Sequence, residues 1–121
     1  MRYNSFEEMP VWKKAMDLSV NIFNLTEKLP KKEDFGLTSQ IRRSSLSVSG
    51  NLAEGFGRKH IKDKLNFYYD SRGSLAETKN HLIYGKSVKY FSEENFKENN
   101  KLIEDIWKEL NSLISVLLKN T

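Results

Sequence analysis

Cysteine is absent from the 121 residues, so neither a disulfide nor a thiolate metal site can form. That absence fits a reducing compartment. Only two prolines occur, Pro10 and Pro30, so later helices face no such interruption. No apolar run approaches the roughly 20 residues that a membrane-spanning helix needs. The opening segment Met1-Arg2-Tyr3-Asn4-Ser5 also lacks the apolar core of a signal peptide. A soluble, cytoplasmic chain with no membrane partner is expected. His60 and His81 are the only histidines, and they fall toward opposite ends of one expected helix, too far apart to share a metal. A di-metal bundle needs a Glu-x-x-His pair on each of two helices, and no such pair is present. Neither a Walker-type glycine loop nor a nucleophile elbow occurs. The expectation is a protein without catalytic residues, cofactor or metal, hence not an enzyme.

The length suits one domain over residues 1–121. A chain of this size should bury about two-thirds of its unfolded surface, enough for a core without covalent staples. No segment alternates with period two in the manner of a strand. Apolar residues instead recur at three and four. Val11, Ala15, Leu18, Ile22, Leu25 and Leu29 form one stripe, predicting a helix that opens near Pro10 and closes at Pro30. Ser5-Phe6-Glu7-Glu8 before it resembles a capping box over a short extra turn.

A second helix is predicted from about 36 to 57 on Leu37, Ile41, Val48 and Leu52, with Gly55 and Gly57 marking its stop. Ser44, Ser45, Ser47, Ser49, Gly50 and Ala53 intervene, small residues that admit another backbone closely. A third helix is expected from about 61 to 90, using Leu65, Tyr68, Tyr69, Leu75, Leu82, Ile83 and Val88, though Arg72 and Lys79 interrupt any clean stripe. Ser92 caps a fourth, with Glu93 and Glu94 in its positive first turn. Its apolar face, Leu102, Ile103, Ile106, Trp107, Leu110, Leu113, Ile114, Leu117 and Leu118, is wide enough to meet several neighbours. Long helices with short connections imply an all-α, up-and-down antiparallel four-helix bundle.

Twenty basic and sixteen acidic side chains leave a net charge of +4, a mild attraction for phosphate. Its distribution is uneven. Arg58, Lys59, His60, Lys62 and Lys64 gather around the single acid Asp63, whereas Glu93, Glu94, Glu98, Glu104, Asp105 and Glu109 load the last third.

The second helix carries a recognisable motif. Leu37-Thr38-Ser39-Gln40-Ile41-Arg42-Arg43, followed by Leu46-Ser47-Val48-Ser49-Gly50-Asn51-Leu52-Ala53-Glu54-Gly55-Phe56-Gly57-Arg58, resembles the signature of the four-helix-bundle family of 23S ribosomal RNA intervening-sequence proteins. Val11-Trp12, Leu29-Pro30 with Glu33, and Gly73-Ser74-Leu75 with Glu77 extend the likeness over nearly the whole chain. Ser49 stands where that family usually has proline, and Ser44 and Ser71 where it has alanine. The resemblance implies a bundle that assembles into a homo-oligomeric ring, commonly a pentamer. That family in turn resembles the accessory protein of diversity-generating retroelements, a basic pentameric barrel associated with nucleic acid. Some family members are encoded within inserts of large-subunit ribosomal RNA genes.

Two residue groups are candidates for function. Arg43, Ser47, Asn51, Glu54 and Arg58 are spaced four, four, three and four, hence on one helical face. They form either a phosphate groove or a structural network at a helix or subunit contact, with Glu54 pairing an arginine and Asn51 bonding Glu77 or backbone. The structural reading is preferred, because a carboxylate among arginines opposes phosphate. The second group is the basic connection, where Arg58, Lys59, Lys62 and Lys64, extended by Arg42 with Lys13 and Lys14, would contact RNA or DNA phosphates without reading sequence. A solvated turn is the plainer account of the same residues. Phe56, Phe67, Tyr68, Tyr69, Trp12 and Trp107 are assigned to the core or an interface rather than to stacking on bases. Two functions remain open. One is an oligomeric nucleic-acid-binding protein; the other is an adaptor assembly that holds a protein partner and whose charge is incidental.

Overall fold

The computed structural model describes residues 3–121, so Met1 and Arg2 of the polar N-terminal segment lie outside the described residues. Four helices follow a 3₁₀ turn at Phe6–Glu8: α1 (Pro10–Thr26), α2 (Leu37–Gly57), α3 (Ile61–Ser87) and α4 (Glu93–Lys119), with a second 3₁₀ turn at Lys31–Glu33. No strand occurs among the described residues. Each helix packs on its two chain or ring neighbours, α1 on α2, α2 on α3, α3 on α4 and α4 back on α1. That cycle of contacts matches an up-and-down bundle.

Periodicity accounts for the core. Val11, Ala15, Leu18 and Ile22 of α1, Leu37, Ile41, Val48 and Leu52 of α2, and Ile103, Ile106, Leu110 and Ile114 of α4 are all buried. On α3 the buried apolar set is Leu65, Tyr68, Leu75 and Leu82, whereas Tyr69, Ile83 and Val88, read as apolar surface of that helix, are substantially exposed. At the start of α4 the Asn95 amide donates to Ser92 Oγ at 3.0 Å, the expected cap. Ser5 makes no side-chain cap; instead the Asn4 amide donates to Glu8 Oε1 at 3.1 Å.

Helix ends depart from expectation for identifiable reasons. The first helix stops at Thr26, four residues short of Pro30, where Thr26 Oγ1 bonds back to the Ile22 carbonyl at 2.7 Å. The third stops at Ser87 rather than Tyr90. There Lys89 adopts φ 68°, and the amides of Tyr90 and Lys89 donate to the carbonyls of Gly85 and Lys86 at 2.8 and 3.0 Å. This is the Schellman arrangement, with lysine where glycine is usual. Gly55 is not a stop signal. It is buried inside α2, and a Cβ there would lie 2.7 Å from the Tyr68 ring, so its role is close approach of α2 to α3.

That α2–α3 seam is built from small polar residues. Ser71 Oγ donates to the Val48 carbonyl at 2.7 Å, and Thr78 Oγ1 donates to Ser44 Oγ at 2.9 Å, all buried. Ser49 bonds the Leu46 carbonyl at 3.2 Å within its own helix. The three serines that differ from the family pattern are thus satisfied without opening the packing.

Candidate functional site

Residues 58–60 join α2 to α3 and carry the centre of the basic cluster. Its members differ sharply in availability. Lys59 and Lys62 are exposed and make no ion pair among the described residues. Arg58 is about half exposed, pairs with Glu54 at 2.9 Å, and lies 4.8 Å from the Phe67 ring centroid. Lys64 is turned inward. Its Nζ donates to the carbonyls of Phe56 and Gly55 at 2.7 and 3.3 Å, capping the end of α2, and burial lowers its pKa. Such C-terminal carbonyls carry partial negative charge, so an ammonium there has a structural partner already.

Arg42 belongs elsewhere. Sixteen residues separate it from Arg58 along α2, about 24 Å at 1.5 Å per residue. Its Nε donates to Thr26 Oγ1 at 2.7 Å, its NH2 group lies 3.1 Å from the Glu27 carboxylate, and its guanidinium stacks 4.6 Å over Phe23. It therefore fastens the end of α1 to α2 and does not join the Arg58–Lys62 group. Lys14 is held by Glu109 across α1 and α4. Lys13 is exposed near the start of α1, which antiparallel packing places at the same end of the bundle as the α2–α3 connection.

The polar row on α2 is exposed to half-buried, from Arg43 through Ser47, Asn51 and Glu54 to Arg58. Spacing put these residues on one face, and the structure keeps them there. It does not link them into one network. Asn51 Nδ2 donates to the Ser47 carbonyl at 2.9 Å, Glu54 pairs with Arg58 and no other cation among the described residues, and Glu77 faces His81 at 3.3 Å. Of the two partners weighed for Asn51, backbone rather than Glu77 is the one found. Arg43 is exposed without an ion pair among the described residues.

Sequence reasoning overlooked a second aromatic and basic group. On the α3–α4 side, Arg72 lies 5.1 Å from the Tyr69 ring centroid and 5.8 Å from that of Trp107, and donates to Asn111 Oδ1 at 2.9 Å. Trp107, assigned to core or interface, is 41% exposed. The signal was Arg72 itself, a cation breaking the apolar stripe of α3 at a position facing α4. Among the described residues, no three His, Asp or Glu side chains gather as a metal cluster, and no helix is long and apolar enough to cross a membrane.

A family model described as 23S rRNA-intervening sequence protein matches residues 7–112. Among solved structures, the chain is similar to a protein of unknown function from the S23 ribosomal protein family of Bacteroides thetaiotaomicron. The two share 26% identity and a TM-score of 0.80 over 86% of this chain and 97% of that one. No curated protein sequence matches.

Proposed function

This chain belongs to the 23S rRNA-intervening sequence protein family, and from that premise we propose that it is a non-enzymatic, self-assembling protein that binds RNA or DNA through phosphate contacts. The observation that carries this reading is the pair Lys59 and Lys62, exposed and without an ion pair among the described residues, beside the half-exposed Arg58. The sequence resembles no base-reading module, so affinity is expected from charge and counterion release. Arg42 and Lys64 are left out of the contact set, because their cations are engaged by Thr26 and Glu27 and by α2 carbonyls respectively.

Assembly makes a weak patch useful. A ring, commonly a pentamer as the family resemblance implies, repeats the lysine pair and turns it into a multivalent surface. The exposed apolar groove between α1 and α2, with Val20, Phe23 and Leu46 each half exposed or more, supplies a face for that contact. The same groove supports a second reading, an adaptor that holds another protein.

A salt titration of RNA binding, comparing the natural chain with a Lys59→Ala/Lys62→Ala variant, separates the readings. The expected result is binding that weakens steeply with salt, with a slope reduced by roughly 0.7 to 0.9 for each phosphate contact removed. Absence of binding at low salt, or indifference to the substitutions, turns the case to the adaptor. A pull-down with and without nuclease would then identify a protein partner that nuclease does not release.

A further inference from the structure

Trp107 occupies an unusual place on α4. The buried stripe of that helix, Ile103, Ile106, Leu110 and Ile114, closes the core without it, and the indole opens onto a groove of about 490 Å³ between α3 and α4. Ala76 forms a low wall of this groove, Lys79 and Lys108 flank it, and Glu104 is the acid in its lining. Glu104 lies 4.0 Å from Lys79 and so is matched within the groove, whereas Lys108 makes no ion pair among the described residues. Arg72 steadies the indole from below, itself fixed by Asn111. The result is a held aromatic face, partly open to solvent and flanked by cations.

A row of exposed residues on one face of α3 leads from Lys62 to the groove at Ala76. Lys62, Asn66, Tyr69, Gly73 and Ala76 follow one another at spacings of four and three along α3, and all five are exposed. They run about 21 Å from the α2–α3 end to the groove. No acid lies in this row. Asp63, Asp70 and Glu77 fall on the neighbouring shoulder of α3, toward α2, as the 100° step of the helix requires. A Cβ at Gly73 would meet nothing within 4 Å, so the middle of the row is low.

Resting on the nucleic-acid reading above, we infer that Trp107 is a stacking platform for an unpaired base of single-stranded nucleic acid whose phosphates run along α3 toward Lys62 and Lys59. Charge complementarity selects this occupant. A polyanion with exposed π-faces satisfies the cations and the indole together, and every base offers such a face. A duplex satisfies only the cations, since its bases are already stacked on one another. Preference for single strands follows.

The chain has two tryptophans, and Trp12 packs edge-on to Phe6 at 5.1 Å, so a Trp12→Phe variant reports on Trp107 alone. Titrating it at low salt with a 20-nucleotide poly-U RNA should quench its emission, and a duplex of equal length should not. In the natural chain Trp107→Ala should weaken poly-U binding by about ten- to a hundredfold, leaving duplex binding and the salt slope unchanged. Trp107→Leu, which keeps an apolar side chain in the groove lined by Ala76 and Ile103, should show the same loss and guards against misfolding. Salt-dependent RNA binding with unquenched emission and no effect of either substitution would overturn the stacking site while leaving the phosphate reading intact. Loss of oligomer mass in either variant without loss of affinity would make Trp107 a subunit contact and overturn the inference as well. No binding of either RNA at low salt would remove both.

Discussion

The Glu54 carboxylate lies 2.9 Å from the Arg58 guanidinium, and both side chains are about half exposed. Exposure decides what the pair is worth. A buried carboxylate would strand its partner on removal, at about 3–5 kcal/mol. An exposed i,i+4 pair contributes below about 1 kcal/mol. Glu54→Ala is therefore expected to lower the melting temperature by no more than about 4 °C for a domain of this size. Because it also removes the negative charge nearest Arg58, RNA affinity should rise at low salt. A thermal melt and a binding isotherm on the same sample check both parts; a large loss of stability would show that Glu54 is buried in a subunit contact. At this scale the sequence is legible in one respect only. Helical spacing places Arg43, Ser47, Asn51, Glu54 and Arg58 on a common face. It cannot say that Lys64 turns inward to the Phe56 carbonyl or that Arg42 stacks on Phe23, because those partners come from a neighbouring helix or a helix end.

At the scale of elements, two of the connections are tied to each other. Glu33, in the α1–α2 connection, accepts from the Leu37 amide at 3.2 Å and from the Tyr90 hydroxyl at 2.9 Å, joining the start of α2 to the α3–α4 connection. The Tyr90 hydroxyl first, and the Leu37 amide second, hold the Glu33 carboxyl below its ordinary value of 4.5. A carboxyl depressed in the folded state stabilises the fold fully above its unfolded pKa, and that contribution is lost as pH falls through the lower folded value. The natural chain should thus lose melting temperature on acidification below 4.5 more steeply than Glu33→Gln, with Tyr90→Phe in between. Superimposable melting-temperature profiles would rule out this tie. Helix existence was readable for α1, α2 and α4 from an apolar stripe or a cap, and for α3 from scattered apolar positions alone, because Ser71 and Thr78 complete its buried face and His60 supplies no side-chain cap. Helix ends were less so. The third helix ends on a lysine in the left-handed region, which a search for glycine or proline cannot find, and Gly55 reads as a breaker although it lies inside a helix because Tyr68 needs its space.

At the scale of the whole molecule, a single chain leaves apolar surface that its own core does not use. Leu46 is 58% exposed, and with Val20 and Phe23 it borders a groove of about 370 Å³ between α1 and α2. A net +4 on one chain is a modest field, but the proposed ring would multiply it at fixed spacing and allow one polyanion to engage several copies. Light scattering at micromolar concentration should return a multiple of 14.1 kDa. Leu46→Asp tests cause and effect together. The site is exposed, so the substitution should leave helicity intact and cost less than about 0.5 kcal/mol within one chain, yet a carboxylate in an apolar contact between copies should drive the mass toward 14.1 kDa. Once dissociated, the protein has one lysine patch per particle. Its affinity for a short RNA should then barely change, while its advantage on a long RNA should collapse toward that of the short one. If the mass falls and the long-RNA advantage persists, avidity is not its source, and one chain must hold a longer track than the row from Lys59 to Trp107 supplies.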